Sequence, residues 1–93
     1  MTLGEVLQSI HALEVQLQKF EEHYRLRSED FYRLVQEGRL EQSAGFIEWL
    51  GLYEIKGKRE QQYRRLTDAL LGPMLSGEPA AEKKLVLPLA ESV

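Results

Sequence analysis

An uninterrupted heptad pattern of apolar residues opens the chain and limits what it can fold into. The two apolar positions of the repeat are filled by Leu3, Ile10, Leu17 and Tyr24, and by Val6, Leu13 and Phe20. A helix with this pattern presents a continuous apolar seam that another helix must cover. The sequence therefore predicts a long first helix from Thr2 to Tyr24. Its seam packs either in a helical hairpin of the same chain or in a coiled coil with a second chain.

The size of the chain and its lack of cysteine favour self-association. The 93 residues allow one domain, and no cysteine is present to form a disulfide or a thiolate metal site. A single core in a chain of this size rarely contributes more than about 3–5 kcal/mol. A second subunit is the simplest source of further stability, so we predict a homo-oligomer, most simply a dimer.

Charge and hydropathy argue against two classes of partner. The formal net charge is −3 and the pI is about 5.4, whereas nucleic-acid binders usually carry a concentrated basic excess. The longest apolar run, Trp49 to Tyr53, is far too short to span a bilayer, and Glu5 interrupts the region where a secretion signal would begin. We expect a cytoplasmic protein that uses neither a membrane nor, as its main partner, a nucleic acid.

Capping residues predict where the first two helices begin and end. Thr2 and Glu5 have the spacing of a capping box, in which each side chain bonds to the backbone N–H of the other residue. Ser28 is the expected N-cap of a short second helix, from about Glu29 to Glu37. Gly38 is well placed to end that helix in a left-handed conformation.

A third helix is predicted from about Ala44 to Leu71. Ser43 is its expected N-cap, and Gly72 with Pro73 is expected to stop it. Gly57 lies in a window without large apolar residues, so the helix either bends there or continues unbroken. The predicted fold is all-α, an antiparallel helical hairpin with a short intervening helix, which dimerises into a helical bundle or coiled coil.

The chain divides into a helical domain, residues 1–72, and a C-terminal linker and arm, residues 73–93. The arm contains a short apolar run made of Leu85, Val86, Leu87 and Leu89. Pro88 excludes a central strand. The run is therefore either a disordered tail or an arm that engages a groove or sheet edge on another chain.

Four aromatic residues recur at positions that the helices can bring together. These are Phe31, Phe46, Trp49 and Tyr53. Aromatic side chains at helical spacing are more often core than ligand pocket, so we interpret the cluster as the place where the short helix packs on the long ones.

Motifs for chemistry are sparse. No serine lies in a nucleophile turn, no glycine-rich phosphate loop follows a strand, and neither His11 nor His23 belongs to a Glu-x-x-His pair. We predict no catalytic, cofactor-binding or metal-binding residue. The alternative enzyme hypothesis is a small metal-dependent protein that uses the two histidines and nearby helix carboxylates.

A basic segment gives the main alternative to a protein-binding function. It contains Lys56, Lys58, Arg59, Arg64 and Arg65. These side chains are spread around the helix circumference, where a solvated face is the usual interpretation. A dimer would present the segment twice, so a DNA-associated transcriptional regulator remains the second hypothesis.

The middle of the chain resembles a family of small helical prokaryotic proteins. The resemblance covers about residues 20–56 and is carried by the stretches Ser28-Glu29-Asp30-Phe31-Tyr32, Gly38, Phe46-Ile47-Glu48-Trp49 and Leu52-Tyr53-Glu54. Members of this family are often the smaller partner in toxin–antitoxin-like gene pairs. The resemblance implies an all-helical, non-enzymatic interaction module that binds and restrains a neighbouring toxin.

Overall fold

Three α-helices form the part of the chain that the computed structural model describes, residues 1–76, with side chains described through residue 72. They are α1 (Leu3–Tyr24), α2 (Ser28–Gln36) and α3 (Ala44–Ser76). No strand occurs within residues 1–76. The predicted all-α class is confirmed.

The start of α1 has the predicted capping box. The Glu5 N–H donates to Thr2 Oγ1 at 3.1 Å, and the Thr2 N–H donates to Glu5 Oε1 at 2.9 Å. Two N–H groups that the helix itself cannot pair are thereby bonded. After Tyr24 the chain leaves the helix through Arg25, whose φ of 57° is left-handed. The heptad pattern ends at this point.

The bounds of α2 differ slightly from the prediction, and its predicted N-cap is wrong. The helix begins at Ser28 itself, and its N-cap is Arg27, which makes no side-chain cap hydrogen bond. The hydroxyl of Ser28 instead accepts a hydrogen bond from the indole of Trp49. Gly38 ends the helix as predicted: its φ is +68°, and the Gly38 and Arg39 N–H groups bond to the carbonyls of Val35 and Leu34.

The third helix begins as predicted and ends later. Ser43 Oγ accepts the Phe46 N–H at 3.2 Å, which is the expected cap. The helix continues through Gly57 and through Gly72 and Pro73 to Ser76, so the predicted end at Leu71 is wrong. Gly72 lacks the Cβ atom that normally clashes with a following proline, which removes one obstacle to a helical residue there.

Contacts between α1 and α3 run in opposite order along the two helices. The Tyr24 ring packs on Phe46 near the start of α3, with ring centroids 5.3 Å apart. Farther along, Arg59 Nε donates to Ser9 Oγ at 3.2 Å. Late residues of α1 thus meet early residues of α3. The core cluster at this junction consists of Leu17, Phe31 and Trp49, with α2 contributing Phe31.

Candidate protein-binding surface

The apolar seam of α1 is covered within the chain over most of its length. Val6, Ile10, Leu13 and Leu17 are the buried residues of α1, with at most 7% of each exposed. The flanking members Leu3 and Phe20 are half-buried. Tyr24 is 41% exposed, so the seam does not remain buried through its last position. The central seam residues are therefore not available to a second chain unless the helices separate.

The aromatic residues surround Trp49. Phe31 stacks on its indole with centroids 3.9 Å apart and planes inclined by 3°, and both side chains have 0% exposure. Phe20 and Tyr24 of α1 each stack on the same indole, with ring centroids 5.5 Å from its centroid. The four predicted residues also include Phe46 and Tyr53, which are half-buried and pack on the same core. The periodicity assigned Phe20 and Tyr24 to the seam, and the structure shows that they belong to both groups.

A hydrogen-bonded chain joins the three helices beside this core. Trp49 Nε1 donates to Ser28 Oγ at 2.8 Å, and the Ser28 N–H donates to Glu21 Oε2 at 2.8 Å. Ser28 is only 4% exposed; its bond from Trp49 is buried, and its bond to Glu21 is part-buried. Capping chemistry alone did not reveal this role. The signal that could have found it is that a buried indole N–H usually has a partner.

The basic segment is partly engaged within the chain. Lys56 Nζ lies 3.2 Å from Glu60 Oε2, and Arg59 bonds to both Ser9 and Gln62. The remaining three cations are exposed: Lys58, Arg64 and Arg65. The structure therefore does not bring the five predicted contacts together on one free surface.

An apolar groove lies between the end of α2 and the first turns of α3. It encloses about 160 Å³. We call it the α2–α3 groove, and its lining residues are Val35, Gly38, Leu40, Glu41, Gln42, Phe46, Ile47 and Leu50. Ile47 at its edge is 56% exposed. Sequence reasoning missed this groove. The available signal was the position of Ile47, a large apolar residue that lies off the helix face shared by Phe46, Trp49 and Tyr53.

A second, polar cleft lies where α1, α2 and α3 meet. It encloses about 180 Å³ and is lined by Glu14, Leu17, Glu21, Arg27, Ser28, Glu29, Tyr53 and Lys56. Its carboxylates and cations are interspersed, and one carboxylate, Glu21, already accepts the Ser28 N–H. Within residues 1–76, no group of three or more histidine or acidic residues is arranged to hold a metal ion. His11 and His23 are both exposed.

The remaining findings concern the Glu5 carboxyl, the hydropathy of the helices and the predicted arm. The pKa of the Glu5 carboxyl lies below its ordinary value, first because it accepts the Thr2 backbone N–H and second because it bonds to the Thr2 side chain. Among the described helices, none is both long and apolar enough to cross a membrane. The predicted arm residues Leu85, Val86, Leu87 and Leu89 lie outside the described residues.

Comparison with known proteins found no matching protein family, no similar curated protein and no similar solved structure.

Proposed function

We propose that this chain is a non-enzymatic, antitoxin-like interaction module whose α2–α3 groove binds a second protein. The observation that carries the proposal is the apolar groove with Ile47 exposed at its edge. A large apolar side chain that is 56% exposed beside a cavity adds to the surface that a partner could bury. The family resemblance of residues 20–56, which include this groove, favours the same function.

The groove favours a partner of particular chemistry. Its volume of about 160 Å³ suits one or two apolar side chains, such as those on one face of an amphipathic helix. Glu41 lines the groove and is exposed, so its carboxylate lies beside the apolar residues. An apolar anchor flanked by lysine or arginine therefore matches this surface in both shape and charge.

A capture experiment with matched variants tests this function. The tagged chain is used to capture proteins from a lysate of its native host, and the captured protein is then purified and its affinity measured. Ile47→Asp should weaken binding at least tenfold, because it places a charge where apolar surface is buried. The matched control is Ile55→Asp, which changes another exposed isoleucine of α3.

Three outcomes are informative. Loss of partner binding with Ile47→Asp and its retention with Ile55→Asp supports the groove as the binding site. Equal retention by both variants contradicts it. Binding that is lost on deletion of residues 77–93 and unaffected by Ile47→Asp would instead favour the predicted arm as the partner-binding element.

For the architecture we propose an antiparallel hairpin of α1 and α3 that associates as a homodimer. The hairpin is supported by the opposite order of the α1 and α3 contacts, from Tyr24 beside Phe46 to Ser9 beside Arg59. The dimer is supported by the small core, because only six apolar side chains of residues 1–72 are buried. Since the seam is already covered, the subunits associate through other surfaces. Sedimentation at micromolar concentration should give twice the monomer mass, and a folded monomer would contradict the dimer.

The DNA-associated alternative has less support. Two of its five cations, Lys56 and Arg59, already pair or bond within the chain. Binding to a DNA duplex that falls steeply with added salt would favour this alternative.

A further inference from the structure

The third helix extends well beyond the start of α1. Arg59 bonds to Ser9, and Leu3 lies six residues before Ser9. Because both helices rise about 1.5 Å per residue, Leu3 is about level with Arg65. Helix α3 continues to Ser76. About its last three turns therefore have no part of α1 beside them.

Apolar residues continue along α3 into this extension. Tyr63, Leu66 and Leu70 are spaced by three and four residues and so share one face. We call them the terminal stripe. Tyr63 is 36% exposed and Leu70 is 43% exposed, whereas Leu66 is half-buried. Large apolar side chains of α3 are thus partly exposed to water, because α1 covers α3 only up to about Arg65.

The terminal stripe is too small to hold a second copy by itself. Three partly covered side chains offer on the order of 200 Å² of accessible surface. A stable complex usually buries roughly 800 Å² on each partner. A segment of the same chain faces a lower requirement, because a short tether gives it an effective concentration in the millimolar range.

The chain contains such a segment within reach. Eight residues lie between Ser76 and Leu85, and the nine Cα–Cα steps that join the two can span about 30 Å when extended. Tyr63 lies thirteen residues before Ser76, or about 20 Å back along the helix. Gly77 and Pro79 are residue types that favour a reversal of the chain directly after α3.

We propose that Leu85, Leu87 and Leu89 pack on the terminal stripe of their own chain. In an extended segment, alternate residues point to the same side, so these three leucines form one apolar edge. Pro88 fixes its own φ and keeps the preceding residue extended. This inference is independent of the α2–α3 groove and of the partner bound there. A partner that engages the arm would first have to release it from the stripe.

Paired cysteines test the proposal directly, because the natural chain contains none. In the full-length chain, Leu70→Cys with Leu87→Cys should form an intramolecular disulfide under mild oxidation. The matched control is Asp68→Cys with Leu87→Cys. Asp68 is exposed and lies two residues from Leu70 in α3, about 160° away around the helix axis. Its distance from Ser76 is nearly the same, so this pair measures cross-linking that arises from reach alone.

The outcomes separate the possible occupants. Intramolecular cross-linking at least tenfold faster for the Leu70 pair than for the Asp68 pair supports the proposal. Equal rates would show that the tether alone brings the cysteines together and would overturn it. A disulfide between two chains would overturn it in favour of a second copy, and no disulfide at all would also overturn it.

Hydrogen exchange gives a second test without cysteines. Leu87→Asp should speed amide exchange in residues 66–76 severalfold, because a carboxylate does not pack on the terminal stripe. Val86→Asp is the matched control, since residue 86 points to the other side of an extended arm. Equal exchange in the two variants and the natural chain would contradict the proposal.

Discussion

Trp49 donates its indole N–H to the hydroxyl of Ser28, 2.8 Å away and twenty-one residues earlier in the chain. The hydrogen bond joins the start of α2 to α3 at the centre of the core. Glu21 of α1 accepts the backbone N–H of the same serine. All three helices are therefore fixed to one another through a single buried residue, which sets the position of α2 and hence of the α2–α3 groove.

Removal of this hydroxyl should destabilise the fold. Ser28→Ala leaves the buried Trp49 N–H without its partner, which should lower the free energy of unfolding by about 1–3 kcal/mol. In a Trp49→Phe background the donor is absent, and the cost of Ser28→Ala should fall by about 1 kcal/mol or more. Urea unfolding followed by circular dichroism measures both. Equal costs in the two backgrounds would show that the bond contributes nothing.

Two valines of α1 provide a matched test of the core. Val6 is 0% exposed and Val15 is 54% exposed. Val6→Ala should lower the free energy of unfolding by about 2 kcal/mol, because it removes two buried methyl groups and leaves a cavity. Val15→Ala should change it by less than about 0.5 kcal/mol. Similar losses in thermal or urea unfolding would contradict the burial of the seam.

Two glycines should respond to alanine with opposite signs. Gly38 has a φ of +68°, so Gly38→Ala should destabilise the protein by about 1 kcal/mol even though a Cβ atom there meets nothing within 4 Å. Gly57 lies inside α3, where an added Cβ also has open space. Gly57→Ala should stabilise the protein by about 0.5–1 kcal/mol. A destabilising Gly57→Ala would argue against a continuous α3.

The capping box should have a measurable pH signature. The pKa of Glu5 in the folded chain is lowered by its bonds to Thr2, so the ionised cap stabilises the start of α1 above the ordinary glutamate pKa. That contribution is lost as the pH falls through the lowered value. Thr2→Pro removes both the backbone N–H and the hydroxyl that lower this pKa, and the Thr2 φ of −77° suits proline. An NMR titration should therefore show the pKa of Glu5 rising toward its ordinary value in Thr2→Pro. Gln16→Ala is the control and should leave it unchanged. An unchanged pKa in Thr2→Pro would contradict the assignment.

The sequence predicted the parts of the fold that depend on local rules. The seven-residue repeat predicted α1 and its buried positions, and the Thr2, Gly38 and Ser43 signals predicted three helix ends. Ser28 was misassigned because the same hydroxyl serves equally well as a helix cap or as an acceptor for a distant indole. Only the three-dimensional position of Trp49 decides between them.

The candidate site was harder to predict from the sequence than the helices. The α2–α3 groove combines Val35 of α2, Leu40 of the connection, and Ile47 with Leu50 of α3, and no single periodicity links these three segments. The end of α3 was also misjudged, because Gly72 and Pro73 are a common stop signal. Interpretation of the basic segment likewise depended on tertiary neighbours, since Ser9 of α1 engages Arg59.

The central claim is that α3 of the same chain covers the α1 seam. Isotope-filtered NMR on an equal mixture of labelled and unlabelled chains tests it most directly, because it shows whether NOEs between Leu17 and Trp49 arise within one chain or between two. The account predicts that these NOEs arise within one chain only, even if the chain also dimerises through other surfaces. The same NOEs between labelled and unlabelled chains would show that the seam is covered by a second chain, and would contradict the account.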